Sequence, residues 1–453
     1  MIRKAPKVEN NRLTDHMGIT FELCTSENPS GGGYWELNTS LLNNEHFCKQ
    51  LKQYIREYTT EIQDPVSKWE HLKIRIKNFC INFSMNLAKS KKNRINFIEK
   101  QIGKLESQKY SEINMNYKRL LEKEIDDYNA EKCSGAYVRS RSVWLEKGEK
   151  STSYFLNLEK RQQTNNTINK IKDENGIEYT TTTEIIDVLM NFYDKLYTSN
   201  DIDIVDIQNY LDSINCGKIS DNEKEMCDEI PTLNECKTAV ENMKNNKSPG
   251  QDGLPAEFYK AFWDDIKHIY YESLIKSIEN GILPFSQRNA IMTLIFKKGE
   301  KTNPKNYRPL SLTNTDYKIF AHVLANRLQK IASRLIGREQ SAYIKGRYIG
   351  ENARLIFAVF EYYMHNDLDG LLLFLDFEKA FDSVEYNFMF KTLEKFNFGD
   401  EFIGMIKTLY NDPVFKIKNN GWISKSCTMH RGIRQGCPVS ALLFIFVIEI
   451  LAI

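Results

Sequence analysis

The stretch LLLFLDFEKAFDSV, residues 371–384, sets five apolar residues directly before an acid, Asp376. A short apolar run without alternation predicts a strand that is covered on both faces, as in a mostly parallel sheet. Asp376 would then lie at the end of a central strand. Because an ionised carboxylate is costly to desolvate, it needs a cation or hydrogen bonds there. A divalent metal ion and an arginine both meet that need, and the pattern alone does not choose between them.

A second acid, Asp382, follows six positions after Asp376. The residues after it, VEYNFMFKTLEKF at 384–396, have a helical pattern. Aspartate is a favoured N-cap because its side chain accepts hydrogen bonds from the free N–H groups of the first turn. We therefore expect Asp382 to cap this helix.

A turn rich in glycine and arginine begins the motif RGIRQGCPVSALLF at 431–444. Pro438 lies where an almost wholly apolar helix is expected to begin. Free N–H groups at a helix start and the guanidinium groups of Arg431 and Arg434 suit a phosphate group. Two more basic loops occur in the same part of the chain, at 297–308 and 338–347. Three basic loops and one strand-end acid favour metal-dependent phosphoryl transfer to a nucleotide.

The composition indicates a globular protein. The chain has 453 residues, of which 41% are hydrophobic, and its 62 Lys and Arg nearly balance its 60 Asp and Glu. Net charge therefore does not indicate a polyanionic partner. The nine cysteines lack metal-ligand spacing, which argues against a zinc site or a disulfide framework. The amino terminus lacks a secretory signal and the longest apolar run, 439–453, is shorter than the roughly 20 residues of a membrane span, so we expect an intracellular protein without membrane contact.

Helical, charge-rich sequence fills residues 41–135. Within it, residues 71–104 hold nine Lys and Arg and one acid, so this face either is solvated or contacts nucleic acid. Residues 139–176 interleave basic residues with aromatic ones, which suits a groove that follows a nucleic-acid backbone. An amphipathic segment packed on a neighbour explains the same pattern. Both alternatives stay open for each segment.

Five motifs follow one another in the second half of the chain. They are KSPGQDGLPAEFYKAF (247–262), NYRPLSLTNTDYKIFAHVLANRL (306–328), EQSAYIKGRYIGEN (339–352), FLDFEKAFDSV (374–384) and RGIRQGCPVSALLF (431–444). This series resembles the successive reverse transcriptase motifs of LINE-type non-LTR retrotransposons. Upstream, RLTDHMGITFEL at 12–23 resembles the last catalytic motif of an apurinic-endonuclease-like domain. The resemblance spans the chain as an internal piece of a longer polyprotein.

The resemblance implies a magnesium site and a sugar contact. Asp376 and the carbonyl of Phe377 would bind the two catalytic Mg²⁺ ions, and Phe381 would exclude a 2′-hydroxyl. Two-metal catalysis needs several carboxylates around ions about 3.5–4 Å apart. In the family, the others come from a Tyr/Phe-x-Asp-Asp turn after the RGIRQGCP helix, and this chain ends before reaching one, so we expect an incomplete Mg²⁺ site. The acid pairs at 126–127 and 264–265 lie upstream in helical contexts and are expected at the surface.

The resemblance also implies contacts with nucleotide and nucleic acid. Lys298 and Arg308 would hold the triphosphate, and Gln435 would contact the incoming nucleotide or the template. The nucleic-acid path would be lined by Gln340, Lys345, Arg347, Arg431 and Arg434. In the endonuclease motif, Asp15 would orient the imidazole of His16 near a scissile phosphate.

The implied fold is α/β with α+β character, a truncated right-hand polymerase of fingers and partial palm behind a mainly helical basic linker. The expected domains are an endonuclease remnant at 1–33, the linker at 34–234 and the reverse transcriptase domain at 235–453. The implied function is RNA-directed DNA synthesis in retrotransposition, with dNTPs, template RNA and primer or target DNA as partners. We expect this chain to be inactive alone. The alternatives are a non-catalytic retrotransposon remnant that binds nucleic acid, and a product without a stable fold.

Overall fold

The computed structural model describes the backbone of residues 2–10, 17–23, 30–107, 111–140, 167–200 and 202–453, and their side chains apart from 2–23 and 134–140. Helices dominate the first part of the chain. They are α1 (Glu45–Arg56), α2 (Pro65–Glu106), α3 (Glu112–Ser140), α4 (Thr182–Tyr197), α5 (Ile204–Asp212), α6 (Asp221–Asp228) and α7 (Leu233–Asn242). Two antiparallel hairpins pair β1 (Ile2–Asn10) with β2 (Met17–Leu23) and β3 (Ile171–Lys172) with β4 (Glu178–Tyr179).

Helices and a mixed sheet alternate in the second part. The helices are α8 (Ala256–Glu279), α9 (Phe285–Arg288), α10 (Thr315–Leu335), α11 (Ile349–His365), α12 (Tyr386–Lys395), α13 (Asp400–Tyr410) and α14 (Ser440–Ala452). The strands are β5 (Asn289–Phe296), β6 (Tyr307–Leu312), β7 (Val414–Asn419), β8 (Trp422–Ile423) and β9 (Cys427–Thr428). The 3₁₀ turns are Thr39–Asn43, Pro304–Asn306 and Ala380–Ser383. This architecture confirms the predicted α/β class.

The main sheet holds five strands, and β5 lies between β6 and β7. β5 pairs with β6 as an antiparallel hairpin and with β7 in parallel, with Asn289 opposite Val414. A parallel pair needs a long crossover, and here the chain between β5 and β7 includes helices α10 to α13. The apolar sequence NAIMTLIF explains the central position of β5, because most of its side chains are buried.

One large hydrophobic core joins the upstream helices to the second half of the chain. Phe47 of α1 and Trp69 of α2 are buried in the same cluster as Phe258 of α8 and Leu324 of α10. Burial of large apolar side chains is the main favourable contribution to folding. Part of the region predicted as a linker, 34–234, therefore folds together with the residues that follow it.

Two ion pairs between helices α2 and α3 account for part of the basic face at 71–104. Lys91 and Arg94 of α2 form ion pairs with Glu131 and Glu124 of α3, at 2.7 and 2.8 Å. These four side chains are exposed, and such pairs contribute little to stability. The pairs support the interpretation of a solvated helical hairpin for this part of the face.

The acid pair on α8 is divided between surface and interior. Asp264 is exposed and lies 2.8 Å from Nζ of Lys267. The Asp265 side chain is only 5% exposed and accepts from Nε of Arg56 at 2.8 Å. The predicted surface position is therefore confirmed for Asp264 and wrong for Asp265, because a helix turns neighbouring side chains to different faces.

The predicted strand at Leu371–Asp376 is wrong. Residues 371–377 have no regular secondary structure and all their side chains are exposed, with Phe374 at 78%. A strand needs a neighbour for its backbone hydrogen bonds, and no described strand pairs with this segment. The preceding helix α11 has no buried residue either. An apolar run carries no periodicity that distinguishes a covered strand from an uncovered segment.

The apolar helix α14 begins close to the position predicted from Pro438. Val439 is its N-cap residue, and Leu443 and Phe446 are buried in the main core. Within the described ranges of the chain, no helix combines the length and the apolar character that crossing a membrane requires.

Candidate nucleotide and nucleic-acid site

The Arg-Gly turn, which we define as residues 430–436, is docked on the segment that follows the exposed Leu371–Phe377 stretch. The N–H of Gly432 donates to the Val384 carbonyl at 2.7 Å, and the N–H of Ile433 donates to the Phe381 carbonyl at 2.8 Å. Gly432 has a φ of +86°, and a Cβ there would lie 2.8 Å from the carbonyl oxygen of Asp382. Only glycine fits this close left-handed approach. Two motifs that are separate in the sequence therefore form one unit.

Asp382 is buried in this unit and does not cap the following helix. It lies in the 3₁₀ turn Ala380–Ser383 and is 1% exposed, whereas the N-cap residue of α12 is Glu385. The predicted capping role is therefore wrong. Oδ1 of Asp382 accepts a hydrogen bond from the hydroxyl of Tyr197 at 2.9 Å, and Oδ2 accepts from Nε2 of Gln435 at 3.1 Å. Burial makes these hydrogen bonds necessary, because an unpaired carboxylate in the interior is costly.

The ionisation of Asp382 reflects this burial. Burial raises the pKa of Asp382 to about 6, although the hydrogen bonds from Tyr197 and Gln435 and the charge of Lys379 act in the opposite direction. Burial and the charge of Asp382 also raise the pKa of Tyr197. The Tyr197 hydroxyl therefore keeps its proton and is the donor in the pair.

Helix α4 holds the Arg-Gly turn from its other side. The carbonyl of Tyr197 accepts from the N–H groups of His430 and Arg431, at 2.9 and 3.2 Å. Nε of Arg431 donates to the Leu196 carbonyl at 2.8 Å, and Nη1 of Arg431 lies 3.3 Å from Oε1 of Glu385. The guanidinium predicted to contact nucleic acid is thus engaged within the protein. Sequence reasoning missed Tyr197, since no local pattern connects it to Asp382 across 185 positions.

Gln435 is fixed by its backbone as well as by its side chain. Its carbonyl accepts from the N–H of Ser311 in β6 at 2.8 Å. Gly436, with φ of +107°, approaches the Ser311 carbonyl so closely that a Cβ would lie 2.9 Å from that oxygen. The predicted nucleotide-contacting residue therefore lies between the sheet and the Asp382 turn.

Phe381 packs on the apolar helix α14. Its ring stacks on Phe444 with centroids 4.5 Å apart, and Tyr343 makes an edge contact at 6.4 Å. Phe381 is only partly buried. A ring held in this way is rigid enough to act as a steric barrier, which the proposed exclusion of a 2′-hydroxyl requires.

Arg434 is an internal residue. The residue is 1% exposed. Its Nη2 donates to the carbonyls of Arg288 and Val414, and its guanidinium lies 5.2 Å from the ring centroid of Tyr317. The hydrogen bonds to carbonyl groups and the contact with an aromatic ring offset part of the cost of burying the guanidinium charge. This burial argues against direct contact between Arg434 and nucleic acid, and favours a role in joining β7 to the Arg-Gly turn.

The residues predicted to hold the triphosphate lie on β6 and on the turn that connects it to β5. Lys298 and Arg308 are both exposed, and Arg308 is opposite Ile295 in the hairpin register. Lys379, which the sequence reasoning missed, donates from Nζ to the Tyr307 carbonyl at 2.8 Å. Burial lowers the pKa of Lys379, and the positive charge of Arg308 acts in the same direction. The charges of Lys379 and Arg308 both act to lower the pKa of Asp382, so two cations lie near this carboxylate.

The two predicted magnesium ligands lie on an exposed segment of the chain. Asp376 is exposed and makes no hydrogen bond or ion pair with any described residue, and Phe377 is half exposed. No group of three His, Cys, Asp or Glu side chains with suitable spacing for a metal exists among the residues that the structure describes. One carboxylate and one carbonyl are too few for two octahedral Mg²⁺ ions.

The loop at 338–347 divides between exposed and internal side chains. Lys345 is exposed and Gln340 is partly buried. Arg347 instead donates to the carbonyls of Ser333, Ile336, Gly337 and Gln340. Four carbonyl contacts at the end of α10 are typical of an arginine that caps a helix C-terminus. The geometry therefore gives Arg347 a structural role, whereas Lys345 is an accessible cation of this loop.

The SPGQDG loop packs inside the protein. A Cβ on Gly250 would clash with Asn314, and a Cβ on Gly253 would clash with Trp35. Asp252 is half-buried, and its buried Oδ2 has no hydrogen-bond partner. These contacts indicate that the loop supports the start of α10.

Two groups of predicted residues lie outside the described part of the chain. They are Asp15 with His16, and the larger part of the basic and aromatic segment 139–176. The residues that follow His16 form the strand β2, Met17–Leu23.

Comparison with known proteins finds a family match over part of the chain. Residues 295–452, which contain β6, Asp376, Asp382 and the Arg-Gly turn, match the family model described as reverse transcriptase (RNA-dependent DNA polymerase). The chain is thus related to the reverse transcriptases of non-LTR retrotransposons, as the ordered motifs predicted.

The similar proteins come from several transposable elements. The Transposon TX1 uncharacterized 149 kDa protein of Xenopus laevis is 30% identical over 455 residues, covering 99% of this chain and 34% of that protein. A retrovirus-related Pol polyprotein from the type-1 retrotransposable element R2 of Nasonia vitripennis is 28% identical, covering 48% of this chain and 20% of that protein. A probable RNA-directed DNA polymerase from transposon BS of Drosophila melanogaster is 26% identical, covering 46% and 23%. The chain therefore spans a third or less of these relatives.

Proposed function

We propose that this chain supplies the fingers and part of the palm of an Mg²⁺-dependent RNA-directed DNA polymerase that acts in retrotransposition. Its reaction would join a dNTP to a primer 3′-hydroxyl, copy an RNA template and release pyrophosphate. The observation that carries the proposal is the docking of the Arg-Gly turn on residues 381–385, which brings Phe381 and Gln435 into one unit within the matched segment. The resemblance to the family implies that both residues contact the nucleotide.

Asp376 and the Phe377 carbonyl are proposed as part of the Mg²⁺ site. Two-metal catalysis needs more carboxylates than the described residues bring together. We therefore expect the purified chain to show no primer extension with Mg²⁺, template RNA, DNA primer and dNTPs. Robust incorporation by this chain would overturn the expectation of an incomplete site.

Triphosphate contacts are proposed for the exposed cations Lys298 and Arg308, and a nucleic-acid contact for the exposed Lys345. These side chains are free of the internal carbonyl contacts that engage Arg347 and Arg434. Phosphate contacts give an affinity that falls steeply with salt. The test is binding of an RNA template annealed to a DNA primer by fluorescence anisotropy, across a series of salt concentrations.

The proposed contacts predict which variants weaken that binding. Lys345→Glu should weaken it and lower the salt slope by about one, because it removes a phosphate contact. Lys298→Glu and Arg308→Glu should instead reduce the further gain in binding when the complementary dNTP and Mg²⁺ are added, because both residues are proposed to hold the triphosphate. Lys237→Glu, at an exposed position of α7, is the control and should change neither quantity. Equal effects of Lys345→Glu and Lys237→Glu on the slope would indicate non-specific attraction and would contradict the proposed nucleic-acid contact.

A second candidate is a binding protein without catalysis. It is favoured by the combination of exposed cations with no metal-ligand cluster in the described ranges. A polymerase-type site should bind the template and primer more tightly when the complementary dNTP and Mg²⁺ are added, and Asp376→Ala should remove that gain. A plain nucleic-acid binder should show neither effect. The endonuclease role of Asp15 and His16 stays a prediction.

A further inference from the structure

The hydrogen bonds of Asp382 reach the residue that is predicted to contact the nucleotide. Nε2 of Gln435 lies 3.1 Å from one carboxylate oxygen, and the Tyr197 hydroxyl lies 2.9 Å from the other. An ionised carboxylate only accepts hydrogen bonds. The NH₂ group of Gln435 must therefore face Asp382, and its Oε1 faces the other way.

The main chain of Gln435 is held independently of Asp382. Its carbonyl accepts from the N–H of Ser311 in β6, and Gly436 is packed against the Ser311 carbonyl. Because the sheet fixes the backbone of Gln435, only its side chain can still rotate, and this rotation sets the direction of the carboxamide. Oε1 of Gln435 accepts no hydrogen bond from the residues that the structure describes.

We infer that Asp382 is a positioning residue, which orients the Gln435 carboxamide so that Oε1 is offered to a hydrogen-bond donor on the bound nucleotide or template. A base amino group or a sugar hydroxyl is a suitable donor. Tyr197 in turn holds Asp382 through its hydroxyl. The inference rests on the proposed function and deepens it, because it explains how the upstream helix α4 influences the site. Asp382 itself acts only through Gln435.

The first test is a double-mutant cycle with the full chain. The measurement is the affinity for a fluorescent RNA template annealed to a DNA primer, with Mg²⁺ and the complementary dNTP present. Gln435→Ala should weaken binding about five-fold, and Asp382→Asn by a similar factor, which is the size expected for one lost hydrogen bond. Because Asp382 acts through Gln435, the double variant should bind no more weakly than Gln435→Ala. Additive losses would overturn the inference.

Tyr197→Phe provides a second variant if Asp382→Asn fails to fold. It removes only the hydroxyl that donates to Asp382 and should weaken binding about two- to three-fold, since it loosens the carboxylate without removing it. Tyr386→Phe is the matched control, because the buried Tyr386 hydroxyl has no hydrogen-bond partner. Thermal melts should show that each variant is folded. Equal binding by wild type and Tyr197→Phe would contradict the role of Tyr197.

The second test does not depend on nucleic-acid binding. In chain labelled with ¹⁵N-glutamine, the Gln435 amide signal is identified by its loss in Gln435→Ala. This signal should shift in Asp382→Asn and Tyr197→Phe and stay in place in Tyr386→Phe. An unmoved signal in Asp382→Asn would overturn the inference even if binding is normal. Failure of the wild type to bind, with the expected shifts present, would instead count against the proposed function.

Discussion

Lys73 and Asp316 form an ion pair inside the hydrophobic core, with Nζ of Lys73 2.7 Å from Oδ2 of Asp316. The same oxygen accepts hydrogen bonds from Nε1 of Trp69 at 2.9 Å and Nε2 of Gln287 at 3.1 Å. Burial acts to lower the pKa of Lys73, but the carboxylates of Asp316 and Glu70 raise it by more, so that Lys73 stays charged. This pair joins the upstream helix α2 to α10 of the reverse transcriptase segment.

Removing one member of this buried pair should be strongly destabilising. Lys73→Met should lower the free energy of unfolding by about 3–5 kcal/mol, because it leaves the Asp316 carboxylate without its cation. The measurement is denaturant unfolding followed by circular dichroism. Lys89→Met, at an exposed position of the same helix, is the control and should change stability by less than about 0.5 kcal/mol. Equal stability of the two variants would show that α2 is not held by this pair.

Asp252 should make stability depend on pH in a defined direction. Burial, together with the charge of Asp316, raises the pKa of Asp252 to about 7 from its usual 3.8. The folded chain then binds a proton more tightly than the unfolded chain does, so this residue lowers stability as pH rises from about 4 to about 7. The charge of Lys73 opposes the shift, and the charge of Glu70 adds to it.

Asp252→Asn removes this titration. Relative to wild type, the variant should gain roughly 2–4 kcal/mol of stability between pH 4 and pH 8, with the difference constant above pH 8. The measurement is denaturant unfolding of both proteins at each pH. A stability difference that does not change with pH would show that Asp252 has the same pKa in the folded and unfolded chains.

The exposed apolar segment should be separable from the core. Phe374 is 78% exposed, whereas Phe320 is fully buried in the main cluster. Phe320→Ala should cost about 3–5 kcal/mol because it leaves a cavity, whereas Phe374→Ala should leave stability nearly unchanged. Phe374→Ala should lower the fluorescence of a bound hydrophobic dye and slow aggregation. A large loss of stability in Phe374→Ala would mean that this segment is covered in solution.

The docking of the Arg-Gly turn should depend on the absence of a Cβ atom at Gly432. Gly432→Ala should cost about 2–4 kcal/mol, because it combines a left-handed backbone with a clash against the Asp382 carbonyl. Gly281 has a φ of +65° and open space around it, so Gly281→Ala isolates the backbone effect and should cost about 1 kcal/mol. Thermal melts of both variants give the comparison. Equal losses would mean that the close approach at Gly432 is easily relaxed.

Local patterns predicted some regular elements. The motif around Pro438 predicted α14, because the signals that start a helix act within one element. The ordered motifs also identified the reverse transcriptase family. Those motifs are combinations of residues that are read directly along the chain, so no tertiary contact was needed to recognise them.

Tertiary structure alone decided how the polar residues of the site are used. The sequence could not show that Asp382 is held by Tyr197, that Arg434 is buried beneath β7, or that the run at 371–376 lacks a strand partner. Each of these depends on which distant segment lies beside the residue. Hydrogen bonds and burial are satisfied in space, across separations such as the 185 positions between Tyr197 and Asp382, whereas sequence patterns report only a residue's neighbours along the chain.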